Sequence, residues 1–410
     1  MSFCVGIYVA RYLGPKDFGL LSYAISLVGL LSAITSFRFD SLVIRDLVRD
    51  ETRRDTLLGT AFVLRTGGAI LTLLITGLIL SFLPNDRLTN LLILLIAVAP
   101  FFQSFNVIDF YFQSKVLSKY AVWSRFPAGI VSALLRLGLI YVHASLFFFA
   151  LLVAVEAILM GAGLTVAYRA QRLSLRRWNF EIASARRLLR ESWSLVLSAI
   201  AMSVYQRLDQ IMIKEMLNTG AVGIYAVAVN LSQIWYMVPM IIAGSLFPAI
   251  IHARGSNYGV YLKSLQKLYD LFFVLSLAIG VVVSIYSHDI IRLLYGAQFK
   301  GSGTILAIHI WSGIFVFQGV IRNQFLVVEN QQQLGLWFRV ISIMLNVALN
   351  VIMIPRYGVV GSALATLISS SLPIYLSSFL HPLLKLNLFM CLKSFIFPVR
   401  LIVYGMRIYR

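Results

Sequence analysis

The run LLILLIAVAP, residues 91–100, contains no charged side chain, and comparable runs recur along the whole of the 410-residue chain. Runs this long constrain the fold more than any other feature of the sequence. In water they would leave large apolar faces uncovered, whereas a helix of roughly 20 such residues crosses a hydrocarbon core about 30 Å thick. Composition agrees: 60% of residues are hydrophobic and 12% charged, with mean hydropathy +0.86. A membrane β-barrel would instead alternate apolar and polar residues over segments of about 10. The sequence therefore predicts an all-α integral membrane protein.

Reading apolar runs between charge, Gly and Pro predicts about twelve spans. Those of the first half lie at 1–13, 18–37, 57–83, 88–113, 121–142 and 145–168. Those of the second half lie at 193–213, 221–250, 271–291, 303–329, 334–354 and 360–380. Two six-helix bundles are expected, 1–168 and 193–380, joined by a basic linker at 169–192 and followed by a basic amphipathic tail at 381–410. Residues 1–13 do not read as a signal peptide, because they lack a basic start and run into a charged turn. They make only about 20 Å of helix, so the first span is expected to be truncated, with native residues upstream of Met1.

The formal net charge of +19 raises nucleic acid as a partner, but position argues for topology instead. Of the 35 Lys and Arg, 22 fall in loops after even-numbered spans or in the C-terminal tail. The positive-inside rule places those loops and the C-terminus in the cytoplasm. Trp123, Trp178, Trp193 and Trp337 sit near the same boundary, as amphipathic rings prefer the headgroup layer. No nucleic-acid partner is expected. Lys393, Arg400 and Arg407 recur at intervals of seven, a spacing that suits a helix lying on an anionic leaflet.

Cys4 and Cys391 are far apart and the five His form no cluster, so no metal, cofactor or redox site is expected. There is no HExxH, GxSxG or Walker loop. A membrane-embedded polymerase or transferase is the enzymatic rival, and such enzymes need a larger loop than any here. The chain is read as a non-enzyme.

Two turns punctuate the halves in the same place. At an offset of 204, Leu13, Gly19, Ala24 and Leu27 pair with Leu217, Gly223, Ala228 and Leu231. One copy joins spans 1 and 2 and the other joins spans 7 and 8. Six spans per repeat keep both halves in one orientation, which predicts parallel repeats with a path between two bundles.

The segments ARYLGPKDFGLLSYA, RFDSLVIRDLVRD, YQRLDQIMI, GIYAVAVNLSQIWYMVPMIIAGSLFPAI, LLYGAQFKGS and IPRYGVVGSALAT run almost end to end. On these segments the chain resembles Wzx-type O-antigen and polysaccharide flippases of the multidrug/oligosaccharidyl-lipid/polysaccharide (MOP) exporter superfamily. The resemblance implies a MATE-like V-shaped pair of bundles in the bacterial inner membrane. It also implies transfer of undecaprenyl-pyrophosphate-linked oligosaccharide between leaflets by alternating access. Implied partners are the lipid-linked oligosaccharide, membrane lipids, a polysaccharide polymerase and a chain-length regulator. The rival readings are a MATE-like drug exporter and a lipid II flippase of the same superfamily.

A pyrophosphate cargo requires cations inside the membrane, and six Arg lie within predicted spans: Arg65, Arg125, Arg136, Arg207, Arg322 and Arg339. A central Arg costs roughly 2.5–3.5 kcal/mol on insertion scales unless it faces a wet cavity or a partner. Its planar fork also matches phosphate oxygens. Arg65, Arg136, Arg207, Arg322 and Arg339, with Asn106 and Gln318, are therefore the candidate substrate-binding residues, and snorkelling or pairing within a bundle is the competing role. Among the in-span acids, Glu156, Asp109 and Asp209 are candidates for coupling to a proton or sodium gradient. For Glu156 the competing role is an ion pair with Arg65, at a similar depth in span 3.

Overall fold

The structure, a computed structural model, describes residues 2–377 and 381–397. These residues form α-helices joined by short 3-10 turns, and no strand occurs among them. The first half contains α1 (Ser2–Thr35), α2 (Asp40–Arg49), α3 (Arg54–Phe82), α4 (Arg87–Ala97), α5 (Ala99–Gln103), α6 (Val107–Ser114), α7 (Ser118–Tyr141) and α8 (Leu146–Ala170). Next come α9 (Ile182–Met216), α10 (Thr219–Gln233), α11 (Met237–Ser256), α12 (Tyr258–Ile285) and α13 (Ser287–Tyr295). The last are α14 (Ser302–His309), α15 (Ser312–Val328), α16 (Gln332–Tyr357), α17 (Val359–Ser377) and α18 (Pro382–Phe395). The chain divides into two compact units, Met1–Ile211 and Met212–Arg410. That boundary falls inside α9, within the helix read from sequence as the first span of the second repeat.

Eight described helical stretches are long and apolar enough to cross a membrane. One of them, Phe3–Thr35, contains both of the first two expected spans. Gly14, at φ 71 and ψ 175, breaks it where Gly-Pro was read as a turn, a left-handed conformation that glycine adopts without steric cost. The remaining expected crossings correspond to α7, α9 and α17. Arg125 and Arg136 lower the apolarity of α7, and α9 carries Arg and Glu along its first half. At the offset of 204, Gly14 matches Asn218, and Asn218 is also a break: its side chain caps α10 by accepting the Ala221 N–H. One position thus redirects the chain in both halves by different chemistry.

Along the second half of α3 the threonines face inward and most of the leucines outward. On α3, Thr72 and Thr76 are buried while Leu74 and Leu78 are 65% and 61% exposed. Lipid tails are as apolar as leucine, so small and hydroxyl side chains make the helix contacts and leucines face the tails. Gly68 illustrates the closeness: a Cβ there would stand 2.1 Å from the Thr35 carbonyl oxygen. In the first unit the core is built on Phe39, Val43, Leu57, Phe110, Phe112 and Tyr168. In the second it is built on Tyr261, Tyr269, Phe272, Phe317 and Phe325.

Of the expected tail, only His381, α18 and the two residues after it are described. α18 buries Leu384, Asn387, Cys391 and Ser394 and packs on α12, with Asn387 donating to the Tyr269 hydroxyl at 2.6 Å. Lys393 lies on its exposed side. Arg400 and Arg407 lie outside the described residues, as does Met1, to which the expectation of a longer first span refers.

Candidate functional site

Two expected spans are interrupted at corresponding places. Span 4 runs α4, α5, a 3-10 turn at Ser104–Asn106 and α6, with Pro100 just before the turn. Span 10 breaks between α14 and α15, around Ile310 and Trp311. Irregular backbone at membrane depth is tolerated where it is buried in protein or lines a polar cavity. The span 4 break lines such a cavity, of about 200 Å³, within the first unit.

Its walls come from four pieces of chain. The end of α1 contributes Ser32, Thr35 and Ser36, a polar stripe at helical spacing, and Arg38 follows it. Phe37 and Arg38 both have positive φ, 52 and 38, so the chain turns sharply here before α2 begins at Asp40. α3 contributes Arg65, and the broken span contributes Gln103, Ser104 and Asn106.

Arg65 donates through Nη2 to Asp40 Oδ1 at 2.6 Å, and its guanidinium lies 4.8 Å from the Phe110 ring centroid. Its buried Nε has no hydrogen-bond partner. Arg38 has no carboxylate partner among the described residues. Among the described residues Asp40 pairs with Arg65 alone, which leaves the cavity cationic through Arg38, with hydroxyl and amide groups around the charge. This donor set suits an anion attached to a hydroxylated group, and the volume suits a head group rather than a whole lipid-linked oligosaccharide.

The cavity brings together two of the predicted residues, Arg65 and Asn106; the others lie elsewhere. The ion pair weighed for Glu156 is corrected: its partner is Arg136 across α7 and α8, supported by Ser132 Oγ at 3.1 Å, and not Arg65. Asp109 accepts from Arg125 Nη2 at 2.8 Å and from Gln113 Nε2 at 3.0 Å. Asp209 is buried on α9. Arg207 donates to the Ile25 carbonyl at 3.2 Å and packs over Gly29 of α1, with no carboxylate partner among the described residues. In the second unit, buried Arg322 stacks on Phe338 with its guanidinium carbon 3.4 Å from the ring centroid. Gln318 Nε2 donates to the Tyr269 carbonyl and to Ser394 Oγ, which ties α15 to α12 and α18. Arg339 is half-buried on α16, unpaired among the described residues.

Sequence reasoning missed Arg38, counting it as a loop cation. The signal was the Ser32, Thr35, Ser36 stripe leading straight into it. Outside the spans, Arg45 joins Asp46 and Glu191, Arg187 joins Asp46, and Arg53 joins Glu181, tying α2 and the start of α3 to α9. A hydrogen bond from the Ser184 hydroxyl, ahead of the pull of Arg53, holds the Glu181 carboxyl below the usual carboxylate range.

Helical units with long apolar helices and a polar cavity at a broken membrane helix define the class: an all-α multi-pass membrane protein. Its fold is that of solved MOP superfamily members. An inward-facing MATE multidrug transporter superposes with TM-score 0.76 at 14% identity over 94% of both chains. The lipid II flippase MurJ, in an inward closed conformation, gives 0.73 at 15% identity over 96% of this chain and 88% of its own. The model of the polysaccharide biosynthesis protein family matches residues 1–253, and the chain belongs to that family. Among similar proteins in Haloferax volcanii, the probable low-salt glycan biosynthesis flippase Agl15 is 28% identical over 55% of this chain and 49% of its own length. The probable flippase AglR is 29% identical over 60% of this chain and 51% of its own. The chain spans about half the length of these relatives.

Proposed function

We propose that the protein is a flippase that moves a polyprenyl-pyrophosphate-linked oligosaccharide between the leaflets of a bacterial inner membrane by alternating access, for a surface polysaccharide. The cationic cavity around Arg38 and Arg65 carries this reading. A pyrophosphate head needs fork-shaped cations away from bulk water, and its sugars need hydroxyl and amide partners. An exporter of cationic drugs would need the opposite charge. The names of the Haloferax relatives and the polysaccharide family support the same cargo class.

In this reading the two six-helix bundles, 1–168 and 193–380, rock about the cargo. Arg65 receives the head from the cytoplasmic side, Arg322 and Arg339 serve the second bundle, and Arg136 and Arg207 lie toward the far side. The cytoplasmic C-terminus and basic loops keep the orientation expected from charge. Asp109 and Glu156 act through their ion pairs with Arg125 and Arg136, and Asp209, buried on α9, is a further candidate for coupling to an ion gradient. A polysaccharide polymerase and a chain-length regulator take over the product.

Removing charge at Arg65, in the cavity, and at Arg322, assigned to the second bundle, tests this. Arg65→Gln and Arg322→Gln are expected to abolish surface polysaccharide while leaving membrane insertion intact, and Lys at either position restores only part of it. Normal polysaccharide from both Gln variants refutes the cationic path.

A further inference from the structure

The turn at Ser104–Asn106 borders a second cavity of opposite chemistry. Ser104 and Asn106 line the polar cavity. Phe105, between them, lines an apolar cavity of about 370 Å³ with Phe62, Val63, Leu175, Trp178 and Phe180. α3 divides in the same way, giving Phe62 and Val63 to the apolar side and Arg65 to the polar side. Ser104 and Asn106 on one side and Phe105 on the other make this turn a shared wall of the two cavities.

The apolar wall is built and not loosely draped. Phe62 packs on Phe105 and Trp178 with ring centroids 5.0 and 5.5 Å apart. Trp178 Nε1 is satisfied by the Tyr168 hydroxyl at 3.2 Å, so it presents only its ring. The segment carrying Trp178 is clamped to α3: Asn179 N–H donates to the Asp55 carbonyl at 3.3 Å, and Glu181 N–H to Thr60 Oγ1 at 3.1 Å. At Gly59 a Cβ would stand 2.5 Å from the Asn179 carbonyl oxygen, so this approach requires glycine. The mouth is open, with Phe180 48% and Val63 45% exposed.

We propose that this cavity holds the head-proximal isoprene units of the cargo lipid while its pyrophosphate sits in the adjoining cationic cavity. The inference rests on the flippase reading and extends it to the tail. An aromatic-walled cavity gives water no partners and favours hydrocarbon. The charge complementarity lies next door, across one turn, where an anionic head joined to that hydrocarbon would fall. A single amphiphile therefore spans Ser104–Asn106, and the protein selects its carrier lipid by tail as well as by sugar.

The test uses the full chain in vesicles of phosphatidylethanolamine and phosphatidylglycerol. A polyprenyl-pyrophosphate disaccharide with a photoreactive group on its first isoprene units is compared, at equal mole fraction, with phosphatidylglycerol bearing the same group on its acyl chain. The polyprenyl probe is expected to label peptides containing 59–63 and 102–106 about tenfold more than the phospholipid, the lower range for discrimination by an apolar pocket. V63W, which fills the cavity from its exposed rim, is expected to reduce that labelling by a similar factor. Equal labelling by phospholipid, labelling elsewhere, or undiminished labelling in V63W overturns the tail site. The head-group reading fails separately, if R65Q binds a farnesyl-length, water-soluble analogue as wild type does. Mapping in the wild-type chain stands even if V63W does not fold.

Discussion

Glu156 shows how far one side chain's role depends on its partner. The carboxylate lies within the apolar helix α8, where Arg136 and Ser132 both bind its Oε2. The side chains keep 21% and 23% of their surface, so losing one partner is expected to cost no more than about 3 kcal/mol, the low end for buried pairs. Glu156→Gln should therefore lower the amount of folded protein without moving the pH profile of transport, and Arg136→Gln with Glu156→Gln should recover part of the loss. A displaced pH profile with normal abundance would reinstate coupling at this site. Glu181 lies outside the membrane and supports a pH prediction. Its depressed pKa means that its contribution is present above the unfolded value and is lost as pH falls through the lower folded value. Glu181→Gln is expected to lower the melting temperature at neutral pH and to match wild type well below pH 4.5, the ordinary carboxyl value.

Helix breaks and close approaches decide how α1, α3 and α5 frame the site. Thr35 at the end of α1 contacts α3 through its carbonyl, against Gly68, and through its hydroxyl, against Thr72. Gly68→Ala would drive a methyl group into backbone, which cannot swing away as a side-chain tip could. The expected loss is about 1–3 kcal/mol, read as a lower melting temperature in detergent together with weaker cargo binding, because Ser32, Thr35 and Arg38 shift with the end of α1. Gly77→Ala is the control, since a Cβ there meets nothing within 4 Å. A Gly68→Ala protein as stable as Gly77→Ala would show that the approach is not tight in solution. The sequence reading runs span 88–113 unbroken through Pro100 and does not single out the stripe Ser32, Thr35, Ser36. That both face one cavity is not legible there, because the facing depends on how α1, α3 and α5 pack.

At the scale of the whole molecule, charge should set orientation. The segment 169–192 carries seven Arg, and the stretch between expected spans 3 and 4 only Arg87, at the start of α4. Arg176 and Arg87 are both exposed. In a background lacking Cys4 and Cys391, Cys at 176 and at 87 should react with an impermeant maleimide from opposite sides of the membrane. Labelling from one side overturns the twelve-span topology. The two units also share a plan legible in advance, since the offset of 204 pairs Gly14 with Asn218 and both prove to be breaks.

Local chemistry by itself determined the membrane environment, the helical class and most span positions, because apolar run length and the placement of charge depend only on neighbours along the chain. It also singled out Arg65 and Asn106, since a charge or amide inside an apolar run is conspicuous without any fold. Partners were another matter. Arg65 meets Asp40, 25 residues away, and Arg136 meets Glu156, because helix rotation and packing choose among several acids at similar depth. Arg38 looked like a loop cation until the positive-φ turn at Phe37–Arg38 brought it back over the end of α1. The apolar cavity was the least legible: its walls come from α3, the turn after α5 and the segment before α9, stretches far apart in sequence that hydrogen bonds such as Asn179 N–H to Asp55 and Glu181 N–H to Thr60 hold together.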